Sequence, residues 1–188
     1  MSVRPRRFTL HRAARILHSG GVVAYPTEAV YGLGCDPLSR VAVEHLLAIK
    51  QRPVEKGLIL IASRFEQIKP FVLAQPPEIR RKLDETWPGP VTWLIPANPA
   101  TPRWLRGNHH SLAVRVTAHP LAAALCETFG GAIVSTSANP TGRPPARSAL
   151  QARIRCHGVD LILQGATGPL ARPTPIRDAV TGKILRGS

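Results

Sequence analysis

Short apolar runs alternate with helical patterns along most of the chain, and this alternation limits the possible folds more than any other feature. The clearest unit lies between residues 39 and 62, where apolar residues at helical spacing lead into the apolar run 58–62. Helices that alternate with strands are typical of α/β proteins built on one twisted sheet. Because several connections are too irregular for a doubly wound topology, we predict a mixed sheet flanked by helices.

Capping and turn residues set the limits of the predicted elements. Thr9 is predicted to cap a helix that ends near Ser19, and Ser39 to cap a second helix that ends near Lys50. A capping box at residues 63–66 predicts a short helix to about residue 70. Further helices are predicted at 78–87, 119–129 and 148–156. Strands are predicted at 22–25, 58–62, 91–95, 112–116, 132–135, 160–163 and near 183–185.

The remaining segments are predicted to be loops. Residues 98–110 and the polar stretch 135–145 have turn-forming composition, and the tail from residue 164 is rich in glycine and proline. The glycines at positions 32 and 34 follow a strand, as in a dinucleotide-binding loop. That interpretation is rejected, because Pro37 occupies the third glycine position and does not allow the close helix–strand contact.

The size and charge of the chain limit the classes of protein to which it can belong. A chain of 188 residues with 44% hydrophobic content is expected to fold as one domain. Its net charge of +14 predicts attraction to polyanions, namely RNA, DNA, nucleotides or an acidic protein. The three cysteines are far apart, which argues against a disulfide framework and for a reducing, cytoplasmic location. No apolar run approaches the length of a membrane span, and no Cys/His cluster has the spacing of a metal site.

Cations are concentrated in the turn at residues 50–57, between a predicted helix and a buried strand. Lys50, Arg52 and Lys56 lie there within seven residues. Turns between rigid elements often carry binding groups. By composition alone, however, a solvated basic loop explains this segment at least as well as a binding site.

Other polar residues lie in or after apolar strands. Arg115 interrupts a strand that is otherwise apolar, so it needs an anionic ligand or an internal salt bridge, and the sequence does not decide between them. Ser135, Ser137 and Asn139 offer donors and acceptors for ribose and phosphate oxygens, although such residues also stabilise turns. If these residues meet the basic turn, the site would bind a polyphosphate. No Walker A motif and no nucleophile–base pair are present.

Six motifs, in order over most of the chain, resemble those of the YrdC/TsaC family. They lie at residues 25–36 (YPTEAVYGLGCD), 50–53 (KQRP), 56–58 (KGL), 87–92 (WPGPVT), 112–116 (LAVRV) and 135–139 (STSAN). Each motif alone is weak, whereas together they are highly specific. The chain is most similar to the short bacterial form of the family. The resemblance therefore implies that residues 1–188 form a single YrdC-like α/β domain with a concave, basic face.

The resemblance also implies an activity. Members of this family act as L-threonylcarbamoyladenylate synthases, nucleotidyltransferases that join L-threonine, bicarbonate and ATP and release pyrophosphate. The product serves the N6-threonylcarbamoyladenosine modification of tRNA position 37. A functional link to the tRNA threonylcarbamoyl transfer complex, affinity for structured RNA or tRNA, and Mg²⁺ bound with ATP are therefore expected.

Nine residues match family positions with implied roles. Thr27 and Arg115 match positions near threonine and its carboxylate, and Lys50 and Arg52 match the expected catalytic cations. The positions with an implied ATP-binding role are Lys50, Arg52, Lys56, Ser135, Ser137, Asn139 and Thr174. Two residues depart from the family pattern: Pro175 removes a backbone donor beside Thr174, and Thr141 replaces a frequent serine.

Two other functions are compatible with parts of the sequence. The charge and the arginines at positions 143, 147, 153 and 155 would also suit a non-catalytic double-stranded RNA-binding or ribosome-assembly factor. A carbamoyl-transfer domain of hydrogenase maturation shares the expected fold, but its zinc-finger and acylphosphatase-like segments are not found in this sequence. The motifs favour the synthase over both.

Overall fold

A computed structural model describes residues 7–172 and 174–187 as one mixed, nine-stranded sheet with helices on both faces. This architecture confirms the predicted α/β class. The strand order is β7-β1-β2-β6-β3-β5-β4-β8-β9. The strands are β1 Val23–Pro26, β2 Tyr31–Gly34, β3 Ile59–Ala62, β4 Thr92–Pro96, β5 Ser111–Val116, β6 Ile133–Ser137, β7 Leu161–Ile162, β8 Ile176–Asp178 and β9 Ile184–Arg186.

Six α-helices in the described ranges cover the sheet, and most of them confirm the predicted helices. They are α1 Arg7–His18, α2 Arg40–Lys50, α3 Pro77–Asp84, α4 Arg103–Arg106, α5 Pro120–Phe129 and α6 Ala149–Arg155. Ser39 caps α2 as predicted, since its side chain accepts a hydrogen bond from the amide of Ala42. None of the helices found in these ranges is both long and apolar enough to cross a membrane.

Strand β2 is not predicted by the sequence pattern, because two of its four residues are glycines, which are rare in strands. Packing explains why glycine occurs there. A Cβ atom on Gly34 would lie only 2.7 Å from the carbonyl oxygen of Val134. The glycine thus lets β2 lie close to its neighbours, with β1 antiparallel on one side and β6 antiparallel on the other.

Other local predictions are wrong in instructive ways. Thr9 lies within α1 instead of capping it. The capping box at residues 63–66 does not form, because the backbone amide and the hydroxyl of Ser63 both donate to the Oε1 atom of Gln67. A 3-10 turn, Phe65–Gln67, follows instead of a longer helix. Here a nearby amide side chain competes with the expected capping glutamate.

Two predicted loops contain regular structure. The segment 98–110 includes α4, and the glycine- and proline-rich tail contributes β8, which pairs in parallel with β4. Strand β6 also extends to Ser137, two residues beyond its predicted end. Contacts with distant parts of the chain decide whether these elements form, because their local propensities are weak.

The two faces of the sheet pack against different helices. One face is covered by α2, α3 and α6 over a large core that includes Leu46, Leu83 and Ala152. On the opposite face, α1 and α5 pack over a smaller core that includes Tyr25 and Ile61. Burying each large aliphatic side chain in these cores contributes about 1.5–3 kcal/mol.

The smaller-core face also carries the polar residues. Ile61 pairs with Arg115, and Ile59, two residues earlier on β3, pairs with Ser135. Because side chains alternate between faces along a strand, Ile59, Ile61, Arg115 and Ser135 share one face. The sheet thus has a polar region on the face that α1 and α5 cover only in part.

The basic turn at residues 50–57 is fixed against the end of α4. The amide of Leu58 donates to the carbonyl oxygen of Leu105 at 2.8 Å, and the amide of Asn108 donates to that of Glu55 at 3.2 Å. Gly107 has a φ of +62°, and a Cβ atom there would lie 2.3 Å from the Glu55 oxygen. Only glycine is compatible with both the conformation and the contact.

Replacement of Gly107 by alanine is therefore expected to destabilise the fold by about 3 kcal/mol, since it adds backbone strain and a steric clash. Gly130→Ala is the matched control: Gly130 has a φ of +86°, but nothing lies within 4 Å of the place that a Cβ atom would occupy. We expect that control to cost roughly 1 kcal/mol. Urea unfolding of both variants measures the difference, and equal losses would contradict the proposed contact.

Candidate active site

A cavity of about 530 Å³ brings together every residue to which the sequence assigns a site role. Two of these residues, Lys50 and Arg115, are nearly fully buried cations that line it. Strand ends, the end of α2 and the basic turn supply the walls. The predicted residues among its lining are Thr27, Lys50, Arg52, Lys56, Arg115, Ser135, Ser137, Asn139 and Thr174.

The ammonium group of Lys50 links three elements. Its Nζ atom donates to the Oγ atom of Ser137 at 3.0 Å and to the Oδ1 atom of Asn139 at 2.8 Å. The backbone of Lys50 is held too, since its carbonyl oxygen accepts hydrogen bonds from the amide and the hydroxyl of Thr141. The C-terminal end of α2 is thereby fixed to the segment that follows β6.

The environment of Lys50 lowers the affinity of its side chain for a proton. The residue is only 4% exposed. Burial, and secondarily the charge of Arg52, lowers the pKa of Lys50 to about 8 from its ordinary value of 10.5. The partners at this end are hydroxyl and amide oxygens, which do not neutralise the charge. An anion in the cavity would therefore interact strongly with this group.

Arg52 organises the basic turn while also lining the cavity. Its Nε and Nη2 atoms donate to the carbonyl oxygen of Gly57 at 3.3 and 3.0 Å, so the side chain closes the turn on itself. Burial lowers the pKa of Arg52, although the group stays charged at neutral pH. Lys56 is exposed at the edge of the same turn. The turn thus presents cations to the cavity and does not form a simple solvated loop.

Arg115 occupies the other polar part of the cavity. The residue is 5% exposed, and its Nη1 atom donates to the hydroxyl of Thr174 at 2.7 Å. Its Nη2 atom lies 3.4 Å from the Oε2 atom of Glu28. Arg115 therefore forms the internal salt bridge that the sequence leaves open, and it also lines the cavity.

The carboxylate of Glu28 is stabilised in its ionised form. Burial alone would raise the pKa of Glu28, but the charge of Arg115 and the hydrogen bond from Thr117 outweigh burial and lower it. The hydroxyl of Thr117 donates to the Oε1 atom at 2.6 Å, and the amide of Ala118 donates to the same atom at 3.1 Å. Glu28 is not among the lining residues.

The threonines of the site are held by neighbouring groups. The hydroxyl of Thr27 donates to the carbonyl oxygen of Val30 at 2.8 Å, within the turn that joins β1 to β2. Thr174 is buried beside Arg115, 3.5 Å from the hydroxyl of Thr92. Pro175 lacks an amide donor, but its carbonyl oxygen accepts from the amide of Thr92. This contact anchors Thr174 despite the unusual proline.

Sequence reasoning misses two basic or ionisable residues of the lining, Arg106 and His109. Both lie in the segment predicted as a loop, and the Nη1 atom of Arg106 donates to the carbonyl oxygen of His109. The signal that could have found Arg106 is its place in a short arginine-rich segment near the basic turn. Among the lining residues that the structure describes, five are Lys or Arg and none is Asp or Glu. The electrostatic potential of the cavity is therefore expected to be positive, which favours anions.

The structure thus combines a mixed α/β sheet with a cation-lined cavity beside its strand ends. The family model Sua5/YciO/YrdC, described as telomere recombination, matches residues 15–188. The chain belongs to this family.

Relatives with known names and structures are similar to the chain over most of its length. A protein of Nitrosococcus oceani named threonylcarbamoyl-AMP synthase is 56% identical over 176 residues, which cover 93% of this chain and 95% of that protein. A P. abyssi Sua5 structure complexed with L-threonine superposes with a TM-score of 0.88 at 32% identity. That match covers 94% of this chain but 52% of the Sua5 chain. E. coli YciO has a TM-score of 0.85 at 27% identity, covering 98% of this chain and 91% of its own.

The lowered pKa of Lys50 predicts a pH-dependent stability. An unfolded lysine keeps its proton up to about pH 10.5, whereas the folded Lys50 releases it near pH 8. Raising the pH through this window therefore stabilises the folded wild type relative to Lys50→Met, which has no proton to release. Urea unfolding of both proteins at about pH 7.5 and about pH 9.5 measures the effect. Parallel pH profiles would show that Lys50 has an ordinary pKa.

Proposed function

We propose that this chain is a threonylcarbamoyl-AMP synthase. The observation that carries the proposal is the convergence of the Lys50–Ser137–Asn139 group and the Arg115–Thr174 pair in one cavity without acidic residues in its described lining. Relatives at about 50–56% identity, matched over nearly their whole length, are named for this activity. The substrates are L-threonine, bicarbonate and ATP, and the products are threonylcarbamoyl-AMP and pyrophosphate.

The ATP phosphates are assigned to the part of the cavity around Lys50. Its uncompensated positive charge, together with Arg52 and Lys56, provides the attraction that a triphosphate requires. Ser135, Ser137 and Asn139 offer hydrogen bonds to phosphate or ribose oxygens. Lys50 and Arg52 would stabilise the negative charge that builds up in the transition state, which makes them the proposed catalytic cations.

L-threonine is assigned to the part of the cavity around Arg115. A guanidinium binds a carboxylate through two parallel hydrogen bonds, and this geometry suits the α-carboxylate of an amino acid. Thr27 lines the same cavity from the turn after β1. Thr174 accepts a hydrogen bond from Arg115 and also lines the cavity, so its hydroxyl would hold the guanidinium while it remains available to the bound ATP.

The proposed reaction has two steps. The threonine amine adds to the carbon of bicarbonate, and loss of water gives a carbamate. A carbamate oxygen then forms a bond to the α-phosphorus of ATP while the bond from that phosphorus to the bridging oxygen breaks. Pyrophosphate leaves with the electron pair. These steps demand proximity and charge stabilisation more than acid–base groups, which agrees with the lack of carboxylates in the described lining.

Mg²⁺ is proposed to enter the cavity with ATP. The described lining offers hydroxyl and amide oxygens, but Mg²⁺ sites in proteins commonly use one or two carboxylates. The triphosphate oxygens and water would then supply most ligands. Ser137 and Asn139 would be the protein residues that contribute oxygen ligands, and the ion would help to neutralise the triphosphate charge.

Two biological expectations follow from the activity. The product would be used by the tRNA threonylcarbamoyl transfer complex, and structured RNA or tRNA is a candidate partner because of the net charge of +14. Three free, buried cysteines are consistent with a cytoplasmic location. The alternative of a non-catalytic RNA-binding or ribosome-assembly factor is less favoured, since the named relatives are synthases.

Pyrophosphate release tests the proposal. The purified chain should release pyrophosphate only when threonine, bicarbonate and ATP are all present, and Lys50→Ala should reduce the rate about a hundredfold at saturating substrates. Lys82→Ala is the matched control, because Lys82 is exposed on α3 and does not line the cavity. A chain without threonine-dependent turnover, but with steeply salt-dependent RNA affinity, would favour the RNA-binding alternative.

A further inference from the structure

Glu28 lies directly behind Arg115 and outside the cavity. It is 7% exposed, and no acidic residue occurs among the described lining residues. Buried ionised carboxylates are costly unless they are paired and hydrogen-bonded. Glu28 meets this condition through Thr117, Ala118 and Arg115, and these contacts tie it to the wall of the cavity.

The carboxylate connects two walls of the cavity. Its Oε1 atom accepts hydrogen bonds from the hydroxyl of Thr117 and the amide of Ala118, which follow β5 directly. Its Oε2 atom faces the Nη2 atom of Arg115, which lies within β5. Glu28 itself belongs to the turn between β1 and β2, so the side chain ties that turn to the end of β5.

The backbone of this turn is fixed from the other side. The amide of Gly168 donates to the carbonyl oxygen of Thr27 at 2.9 Å, and the amide of Leu170 donates to that of Glu28 at 3.2 Å. Thr27, one residue before Glu28, lines the cavity. The turn that carries Thr27 is thus held by backbone hydrogen bonds on one side and by the Glu28 carboxylate on the side of Arg115.

The guanidinium of Arg115 consequently has a defined orientation. Thr174 accepts from its Nη1 atom, and Glu28 lies against its Nη2 atom. Without such partners, an arginine side chain samples many rotamers, and ordering it on ligand binding costs entropy. The ionised Glu28 also offsets much of the charge of Arg115, unlike the hydroxyl and amide partners of Lys50.

We propose that Glu28 is a positioning residue for L-threonine, acting through Arg115. This inference rests on the proposed function, since it assigns a role within the same site. Glu28 presents the guanidinium to the threonine carboxylate, and by reducing its net charge it makes Arg115 a partner for a monoanion instead of the ATP triphosphate. Loss of Glu28 should therefore affect threonine much more than ATP.

Glu28→Gln separates these effects, because it removes the charge and nearly preserves the volume. We expect the KM for threonine to rise about tenfold, as for loss of one charge-assisted interaction, while the KM for ATP changes less than about twofold. Glu28→Asp retains the charge with a shorter side chain and should recover part of the threonine affinity. Calorimetric titration with L-threonine provides an independent measure of binding.

Glu127→Gln is the matched control. Glu127 also pairs with an arginine, since its carboxylate lies against the Nη1 atom of Arg64, but that pair is exposed and does not line the cavity. This variant should leave both KM values unchanged. If Glu28→Gln does not fold cooperatively, Thr117→Val replaces it as the test. This variant removes the hydrogen bond from Thr117 to the Glu28 carboxylate but keeps the charges of Glu28 and Arg115. It should raise the KM for threonine about threefold.

The outcomes separate this inference from the proposed function. A wild-type chain without threonine-dependent pyrophosphate release would refute the function itself. If the wild type is active, an unchanged threonine KM in Glu28→Gln, or an equal rise in the KM values for threonine and ATP, would overturn the positioning role. The same criterion applies to Thr117→Val if that variant is used.

Discussion

The contact of the buried Lys50 ammonium with Ser137 and Asn139 is the interaction on which the cavity depends. It joins the end of α2 to the end of β6 and to the segment beyond it. A buried cation without a carboxylate partner is unfavourable, and its lowered pKa reflects that cost. The fold retains this charge where an anion can reach it. Under the proposed function, the phosphates of ATP would reduce this electrostatic cost when they bind.

Arg115 provides a second cation with a different electrostatic state. Glu28 pairs with it, so the two buried cations of the cavity differ in effective charge although they share one lining. This contrast is the reason why we propose that the polyanionic triphosphate binds near Lys50 and the singly charged carboxylate near Arg115. Binding both substrates beside each other would place the carbamate oxygen near the α-phosphate, and such proximity accounts for much of catalysis without an acid–base pair.

Local sequence signals predict those elements that local physics decides. Ser39 caps α2, and the apolar run at residues 58–62 largely coincides with β3, because capping and hydrophobic burial act over a few residues. The glycine-rich β2 and the proline-rich β8 are missed, since their partners come from distant strands. Eight of the nine predicted residues of the cavity lining belong to the family motifs, and Thr174 is found by a match in the C-terminal segment. Arg106 has no such match and is missed.

The sequence by itself determined the α/β class, the cationic character and the residues that could bind phosphate and carboxylate groups, because side-chain chemistry and hydrophobic periodicity are properties of the chain. Only the tertiary structure decided that these residues meet. Lys50 and Asn139 are 89 residues apart in the sequence, yet the Nζ atom of Lys50 lies 2.8 Å from the Oδ1 atom of Asn139. Arg115 both pairs with Glu28 and lines the cavity. The packing of α2 against the sheet and the pairing of distant strands set these distances, and both are long-range contacts that a local sequence pattern does not specify.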